Sequence, residues 1–421
     1  MEIGVDWGGS PLPPFPSPPG EPSTVEHLDS QQEELAPAAC RERFEVKSDP
    51  IAQWLDWEQQ ANLVGFRTSS APVQVDVVAV PRTEVEVHLQ PGAPAEVVDL
   101  FLRGDRVLVP RHPLNRDPTV AFSNEPVAER WTARFTSSRT LAFPGRDSGD
   151  ALFSLKLATD HPHPDFRQPE KAKLRAEAFD AVGWAWVLAR IDQLLGPIEG
   201  VELVPEVMIV LAAGREGGFL LRDLRLFQDG HYYLPALSLP FVGAPIARRH
   251  GANPEAFWGQ HFAEPVGRVK ARLLARYGLW FETPNPQNLL VQLDRNLFPT
   301  GKLVFRDVGD GDCATDAREV LDVPWRRLVS DLRPETRTSF WAFGEAGEHS
   351  IAADVLERWY ARHDAAYYAE LARWFPEIAP PPEISREHAL GHWNEALRSD
   401  AGQEAVARAF AAHRQRVASR V

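Results

Sequence analysis

Between Tyr277 and Asp312 the chain reads YGLWFETPNPQNLLVQLDRNLFPTGKLVFRDVGDGD, and its polar residues are concentrated at two points. Glu282, Gln287 and Asn288 enter the β-rich run Asn288 to Leu293, while Arg306, Asp307, Asp310 and Asp312 follow the run Lys302 to Phe305. The intervening DRNLFPTG carries the Asp, Asn, Pro and Gly of a loop, so the two runs predict a hairpin. Pairing the strands gathers an amide, a guanidinium and several carboxylates at one end. Carboxylate and amide oxygens are hard ligands for Mg²⁺, and a cation beside them suits phosphate, so the pattern has the layout of a Mg-nucleotide site.

A second constellation lies upstream. FTSSRTLAF (Phe135 to Phe143) sets Ser137, Ser138, Arg139 and Thr140 between apolar residues, and the strand-like LFSLKLAT (Leu152 to Thr159) follows with Lys156 at its centre. Hydroxyls and backbone N–H groups donate to phosphate oxygens while the two cations neutralise them. Ser and Thr clusters also make ordinary turns, and a strand Lys can simply extend its stem to water.

Two families bracket a hairpin with an Asn and an Asp in this manner. Protein-kinase-like phosphotransferases are one, but the position of their catalytic Asp base, five residues before the metal-binding Asn, is Thr283 here. The other is the siderophore synthetases of the aerobactin-synthetase type, ATP-dependent ligases that work without a peptide-synthetase assembly line. Gly278, Glu282, Gln287, Asn288, Arg306 and Asp307 resemble their G-x-x-x-E-A-H-x-Q-N, strand, R-D stretch. His112-Pro113, Ser137 or Ser138 with Arg139-Thr140, Lys156-Leu157 and Arg167 follow a similar order to that family's H-P, S-x-R-T, K-L and Arg. Pro205-Glu206 and Arg215-Glu216 resemble its P-E and R-E pairs. The chain departs in reading ETPNPQN, one residue longer and without the family's His, and in having a short N-terminal lobe.

The resemblance implies an α+β fold: a palm of mixed and antiparallel sheet with an active-site hairpin, and a helical C-terminal thumb. It implies ATP and Mg²⁺ as cofactors and a carboxylate and an amine as substrates, joined through an acyl-adenylate. Ser137, Ser138, Arg139, Thr140, Lys156 and Arg167, with Gln287 and Asn288, are then the nucleotide's residues. Glu282, Asn288 and Asp307 are the metal's, and Arg306 and Gln287 orient the reacting groups. A kinase-like phosphotransferase acting on a small molecule and a non-catalytic nucleotide-binding scaffold are the alternatives.

At 421 residues and 44% hydrophobic the chain can bury a large core. Its formal charge of -14 disfavours nucleic acid and anionic membranes as partners. Cys40 and Cys313 are far apart and lack metal-ligand spacing, which points to a reducing compartment. No apolar run approaches the roughly 20 residues that span a bilayer, and the N-terminus has no signal pattern, so a cytoplasmic protein is expected. A homodimer is allowed.

Composition divides the chain into a Pro-rich arm (1–43), an N-terminal α/β lobe (44–134), a nucleotide-binding palm (135–319) and a helical lobe (320–421). Within these, Ile51 to Val64 reads as a helix, VQVDVVAV and EVEVHL as strands, and VDLFLRGDRVLVP as a hairpin. Lys171 to Leu195 and Pro254 to Tyr277 read as helices, and VELVPEVMIVLAAGREGGFLLRDLRLF as two buried strands around a Gly-rich turn. His161, His163 and Asp165 alternate, but the prolines of DHPHPDFRQPEK favour a loop over a metal site.

Overall fold

The computed structural model describes residues 46–62, 71–90, 93–115, 120–144, 152–160, 199–204, 206–214, 217–277, 279–281, 286–306, 311–314, 328–329, 340–344, 349–381, 384–402, 404–405, 407–408 and 411–412. The Pro-rich arm, the run 161–198 with its expected helix and its two histidines, and Arg167, Glu282, Asp307 and Asp310 lie outside the described residues.

Helix α1 (Pro50–Ala61) opens the described chain. Asp49 caps it by accepting the Ile51 N–H, and Pro50 stands at the first turn, where its missing donor is harmless. Trp54, Trp57, Glu58 and Ala61 fall at helical spacing on one stripe, and all four are buried.

Strands β1 (Val73–Pro81), β2 (Val85–Leu89), β3 (Leu102–Arg103), β4 (Arg106–Pro110), β5 (Val127–Phe135), β6 (Thr140–Phe143) and β7 (Phe153–Leu157) follow. Next come β8 (Val201–Val204), β9 (Glu206–Ala212) and β10 (Gly218–Asp223). All except β8 form one large curled antiparallel sheet in the order β2-β9-β10-β7-β6-β5-β1-β4-β3, drawing strands from both sides of residue 135. Side-chain alternation gives this sheet two characters. One face is an apolar core that includes Phe101, Phe135, Leu141, Leu155, Phe219 and Leu221. The other carries Thr140, Ala142, Ser154, Lys156 and Arg222, which the register places side by side.

The Gly-rich turn expected between the two buried strands is present as the β9–β10 hairpin. Gly217 there has φ of 143°, and a Cβ on it would come within 2.4 Å of the Ala121 Cβ, so the 120s loop sits directly on the turn. The sequence run Val201 to Val204, expected to continue into that hairpin, instead leaves it and pairs parallel with Leu303 to Arg306 in a second sheet.

That second sheet consists of β11 (Tyr232–Pro235), β13 (Leu289–Leu293), β14 (Pro299–Arg306) and β8. β13 and β14 are the expected hairpin, paired antiparallel with Leu290 opposite Val304. A small third sheet joins β12 (Leu279–Phe281), β15 (Gly311–Ala314) and β16 (Leu328–Val329).

Helix α2 (Leu239–Arg249) is absent from the sequence reading, which its internal Pro245 obscures. The helix expected from Pro254 to Tyr277 forms as α3 (Pro254–Trp258), a π-helical turn at Gly259–Ala263, and α4 (Glu264–Tyr277). Helices α5 (Ala353–Trp374) and α6 (Arg386–Arg398) supply the helical C-terminal part. The largest core lies between the helices and one face of the four-stranded sheet, with Phe262, Leu274, Leu289, Leu303, Trp359 and Tyr367 among its members. Among the described residues, no helix is long and apolar enough to cross a membrane.

Candidate active site

The hydroxyl run forms a bend between β5 and β6. Thr136 and Ser137 donate their N–H groups to the Thr140 carbonyl at 2.8 and 3.2 Å, and the Ser137 hydroxyl accepts the Thr140 N–H at 3.2 Å. Ser137 therefore closes the bend with its own side chain, the role Ser commonly takes in turns. Thr140 then pairs with Lys156 across the β6–β7 ladder, and the Leu157 N–H donates to the Arg139 carbonyl at 3.0 Å. Ser138, Arg139, Thr140 and Lys156 are thus brought together, with both cations buried and Ser138 and Thr140 half-buried.

His112 braces the bend from the β4 side. Its Nδ1 accepts the Leu114 N–H at 3.2 Å, which leaves the proton on Nε2, and Nε2 donates to the Ser138 carbonyl at 2.9 Å. The Thr159 hydroxyl stands 3.1 Å from the same Nδ1. The His-Pro pair and the S-x-R-T run, separate in sequence, are therefore one hydrogen-bonded unit.

At the hairpin end the described residues form a closed network. Arg306 donates through Nε and Nη2 to the Gln287 carbonyl at 3.1 and 2.6 Å, and its backbone N–H donates to the Asn288 carbonyl at 3.0 Å. Its Nη2 also lies 2.5 Å from Glu58 Oε1 of α1. The Gln287 side-chain amide donates to Asn62 at 2.7 Å, and Asn62 in turn donates to Glu58 Oε1 at 3.1 Å. Arg306, Gln287, Glu58 and Asn62 make one network in which the guanidinium's charge is matched inside the protein. Asn288 is half-buried at the start of β13. Of the three expected metal ligands only this one belongs to the described residues.

Helix α1 also ties this end to the bend. Gln59, next to Glu58, donates its side-chain amide to the Phe135 carbonyl at 2.9 Å, at the residue where β5 ends and the bend begins. Packing repeats the link, since Ala142 of β6 shares a small core with Leu290 and Val304 of the hairpin and Trp54 of α1. Thr140, Lys156 and the hairpin end consequently lie on the same side of the nine-stranded sheet.

Sequence reading did not single out Glu58, Gln59 or Asn62. A signal for Glu58 was present: it is an acid on the tryptophan-lined stripe of α1, where a solvated charge does not belong. Arg222 was also missed. It sits opposite Ser154 on the Lys156 face and forms a buried pair with Glu206, Nε and Nη2 donating to Oε1 at 3.1 and 2.5 Å. Cross-strand pairing set this contact, and no local pattern announces it.

The donor set fits a nucleoside triphosphate: the buried Lys156, the hydroxyl bend with its buried Arg139, and a strand-end amide. No protein-family model matches the chain, and a search of curated proteins finds no match. Among solved structures it is similar to ATP-bound aerobactin synthetase IucA from a hypervirulent pathotype of Klebsiella pneumoniae. The TM-score is 0.51 at 16% identity, over 84% of this chain and 74% of that one. Petrobactin biosynthesis protein AsbB from Bacillus anthracis str. Sterne follows, with a TM-score of 0.48 at 13% identity over 85% of this chain and 63% of that one. At such identities the likeness is one of architecture, and the chain has the siderophore synthetase fold.

Proposed function

We propose that the chain is an ATP-dependent ligase that activates a small, citrate-like polycarboxylic acid and condenses it with an amine or hydroxylamine in siderophore-type biosynthesis. One observation carries the reading. The hydroxyl bend, Lys156 and the hairpin end occupy one side of the sheet, in the fold of a synthetase solved with ATP bound.

In this reaction a carboxylate oxygen attacks the α-phosphorus and pyrophosphate leaves. The amine then attacks the acyl carbon, AMP leaves, and the amine loses a proton. The attacking carboxylate is already ionised at neutral pH, so no general base is needed for the first step, consistent with Thr283 at the kinase base position. The protein's task is alignment and charge stabilisation. Ser138, Arg139, Thr140 and Lys156 take the triphosphate. Glu282, Asn288 and Asp307 would hold Mg²⁺, which neutralises phosphate charge when bound. Gln287 and Arg306 orient the reacting groups from positions fixed by α1.

An ATP–pyrophosphate exchange screen over citrate, other di- and tricarboxylates and amino acids tests the reading. Carboxylate-dependent exchange is the expected result. Transfer of the γ-phosphate to a small molecule would assign a phosphotransferase instead, and nucleotide binding with neither activity would assign a scaffold.

A further inference from the structure

The turn end of the β13–β14 hairpin presents an aromatic side chain to solvent on a loop that is tied down. Asp294 Oδ1 accepts the Asn296 and Phe298 N–H groups at 2.8 and 2.9 Å. The Asp294 carbonyl accepts the Leu297 N–H, and its N–H donates to the Phe298 carbonyl, both at 2.9 Å. Leu297 has φ of 65°, a conformation that residues other than glycine rarely adopt, and its side chain is buried in the largest core. With Leu297 turned inward, Phe298 stands 40% exposed.

Helical residues surround it. The ring of His250, at the end of α2, lies 5.2 Å from the Phe298 ring, and that of His261, in the π-helical turn, lies 4.9 Å away. Phe257 of α3 stacks on His250 and sits 5.8 Å from Phe298. Arg248 and Arg249 precede His250, Arg295 precedes Phe298 by three residues, and all three arginines are exposed. Among the described residues, none of these guanidiniums has an ion pair or a hydrogen bond. Carboxylates on the same elements are already engaged: Glu255 accepts from Arg358 at 2.8 Å, Glu264 accepts from Arg362 at 2.7 Å, and Asp294 holds its own loop. Both segments that build the patch, 239–264 and 286–306, are described without a gap.

A chain of net charge -14 thus carries here three unmatched cations around an apolar ring, and a ligand must answer both parts. A free anion would pair with one guanidinium and gain nothing from Phe298. A long polyanion, such as nucleic acid or an anionic bilayer, would also meet the repulsion of the acidic surface beyond the patch. A short acidic protein segment satisfies both parts, because its carboxylates suit the planar N–H forks of Arg and an apolar side chain can cover the ring. Arg and aromatic residues are also the types that dominate binding at protein interfaces.

We infer that this patch docks an acidic segment of a partner protein, its carboxylates on Arg248, Arg249 and Arg295 and an apolar side chain on Phe298. The patch lies at the opposite end of the hairpin from Asn288 and Arg306, so the inference stands apart from the ligase reading. The probe is a fluorescein-labelled peptide, Glu-Glu-Leu-Phe-Glu-Glu, titrated into the full chain and followed by anisotropy. The expected result is saturable binding, weakened at least about tenfold by Arg249→Glu with Arg295→Glu, and likewise by Phe298→Ser, with thermal unfolding nearly unchanged. Replacing the peptide's Leu-Phe by Ser-Ser should cost as much as Phe298→Ser. Failure of the peptide to bind overturns the assignment, as does native affinity in either variant. Tighter binding of an oligonucleotide or of phosphatidylglycerol vesicles than of the peptide overturns it in favour of a polyanion. A dimer in sedimentation that the same variants dissolve overturns it in favour of a second copy of the chain.

Discussion

Glu58 Oε1 and Arg306 Nη2 lie 2.5 Å apart, and their side chains are only 3% and 11% exposed. The other carboxylate oxygen of Glu58 is buried and has no hydrogen-bond partner. A buried pair in this condition is a weak source of stability, because desolvating both ions offsets their attraction, yet breaking it strands a charge. Glu58→Ala should therefore destabilise the protein by about 3–5 kcal/mol, whereas Glu58→Met with Arg306→Met should recover most of that loss. Urea unfolding of the three proteins checks this, and a double variant as unstable as the single one would show that packing, not charge, sets the cost.

If Arg139 and Lys156 hold the triphosphate, Arg139→Ala should weaken Mg-ATP binding by about 1.5–3 kcal/mol, the range for a hydrogen bond to a charged group. Lys156→Met should act in the same direction. Calorimetric titration reads both. Unchanged affinity in the pair would place the phosphate site elsewhere on the sheet.

His112→Ala removes the donor on the Ser138 carbonyl and should loosen the bend without disturbing β6 and β7. The expected signature is faster amide exchange at residues 136–140, with the amides of the β9–β10 hairpin unaffected. Faster exchange throughout the sheet would mean that His112 is a general core residue.

Metal binding at the hairpin exit is tested by Asp307→Asn, which should lower Mg-ATP affinity while leaving ligand-free thermal unfolding nearly unchanged. Affinity equal to that of the native chain would remove Asp307 from the metal's ligands.

Glu370 of α5 supplies a pH dependence. Burial alone would raise its carboxyl, but the Arg272 Nε–H at 2.9 Å, the Trp374 indole N–H at 3.1 Å and the nearby charges of Arg272 and Arg373 hold it below the ordinary value. A depressed folded-state value means stability fully present above the unfolded carboxylate value of about 4.3 and lost as pH falls through the lower folded one. The native chain's Tm advantage over Glu370→Gln should accordingly shrink below about pH 4.3. An advantage constant to lower pH would contradict the assignment.

Local patterns carried much of this fold. Alternation and turn residues identified β13 and β14, and β9 and β10, because each is joined to its partner by a short loop, and they identified β7 behind the hydroxyl bend, whereas β5 and β6 on either side of that bend had no such signal. What stayed hidden is non-local. Nothing near Val201 signals a parallel partnership with β14, since such pairing leaves no turn to read. Pro240 and Pro245 masked α2, whose close seat on α3 depends on Gly243, where a Cβ would come within 2.8 Å of the Trp258 indole nitrogen. Candidate site residues were recognisable by type, but Arg306 read as a free cation because its counter-ion lies on a helix far upstream. Glu58 could be found only by asking why an acid shares a stripe with two tryptophans.

The bond between Asn62 and Gln287 joins residues 225 positions apart in the chain. During synthesis α1 emerges before the hairpin, and until then Glu58 and Asn62 can bond only each other, not Arg306 or Gln287, while the β9–β10 and β6–β7 ladders can close as soon as they are made. Long-range closures of this kind are slow and follow local ones. The candidate site should therefore be among the last parts of the molecule to form, appearing only when its earliest and latest segments have met.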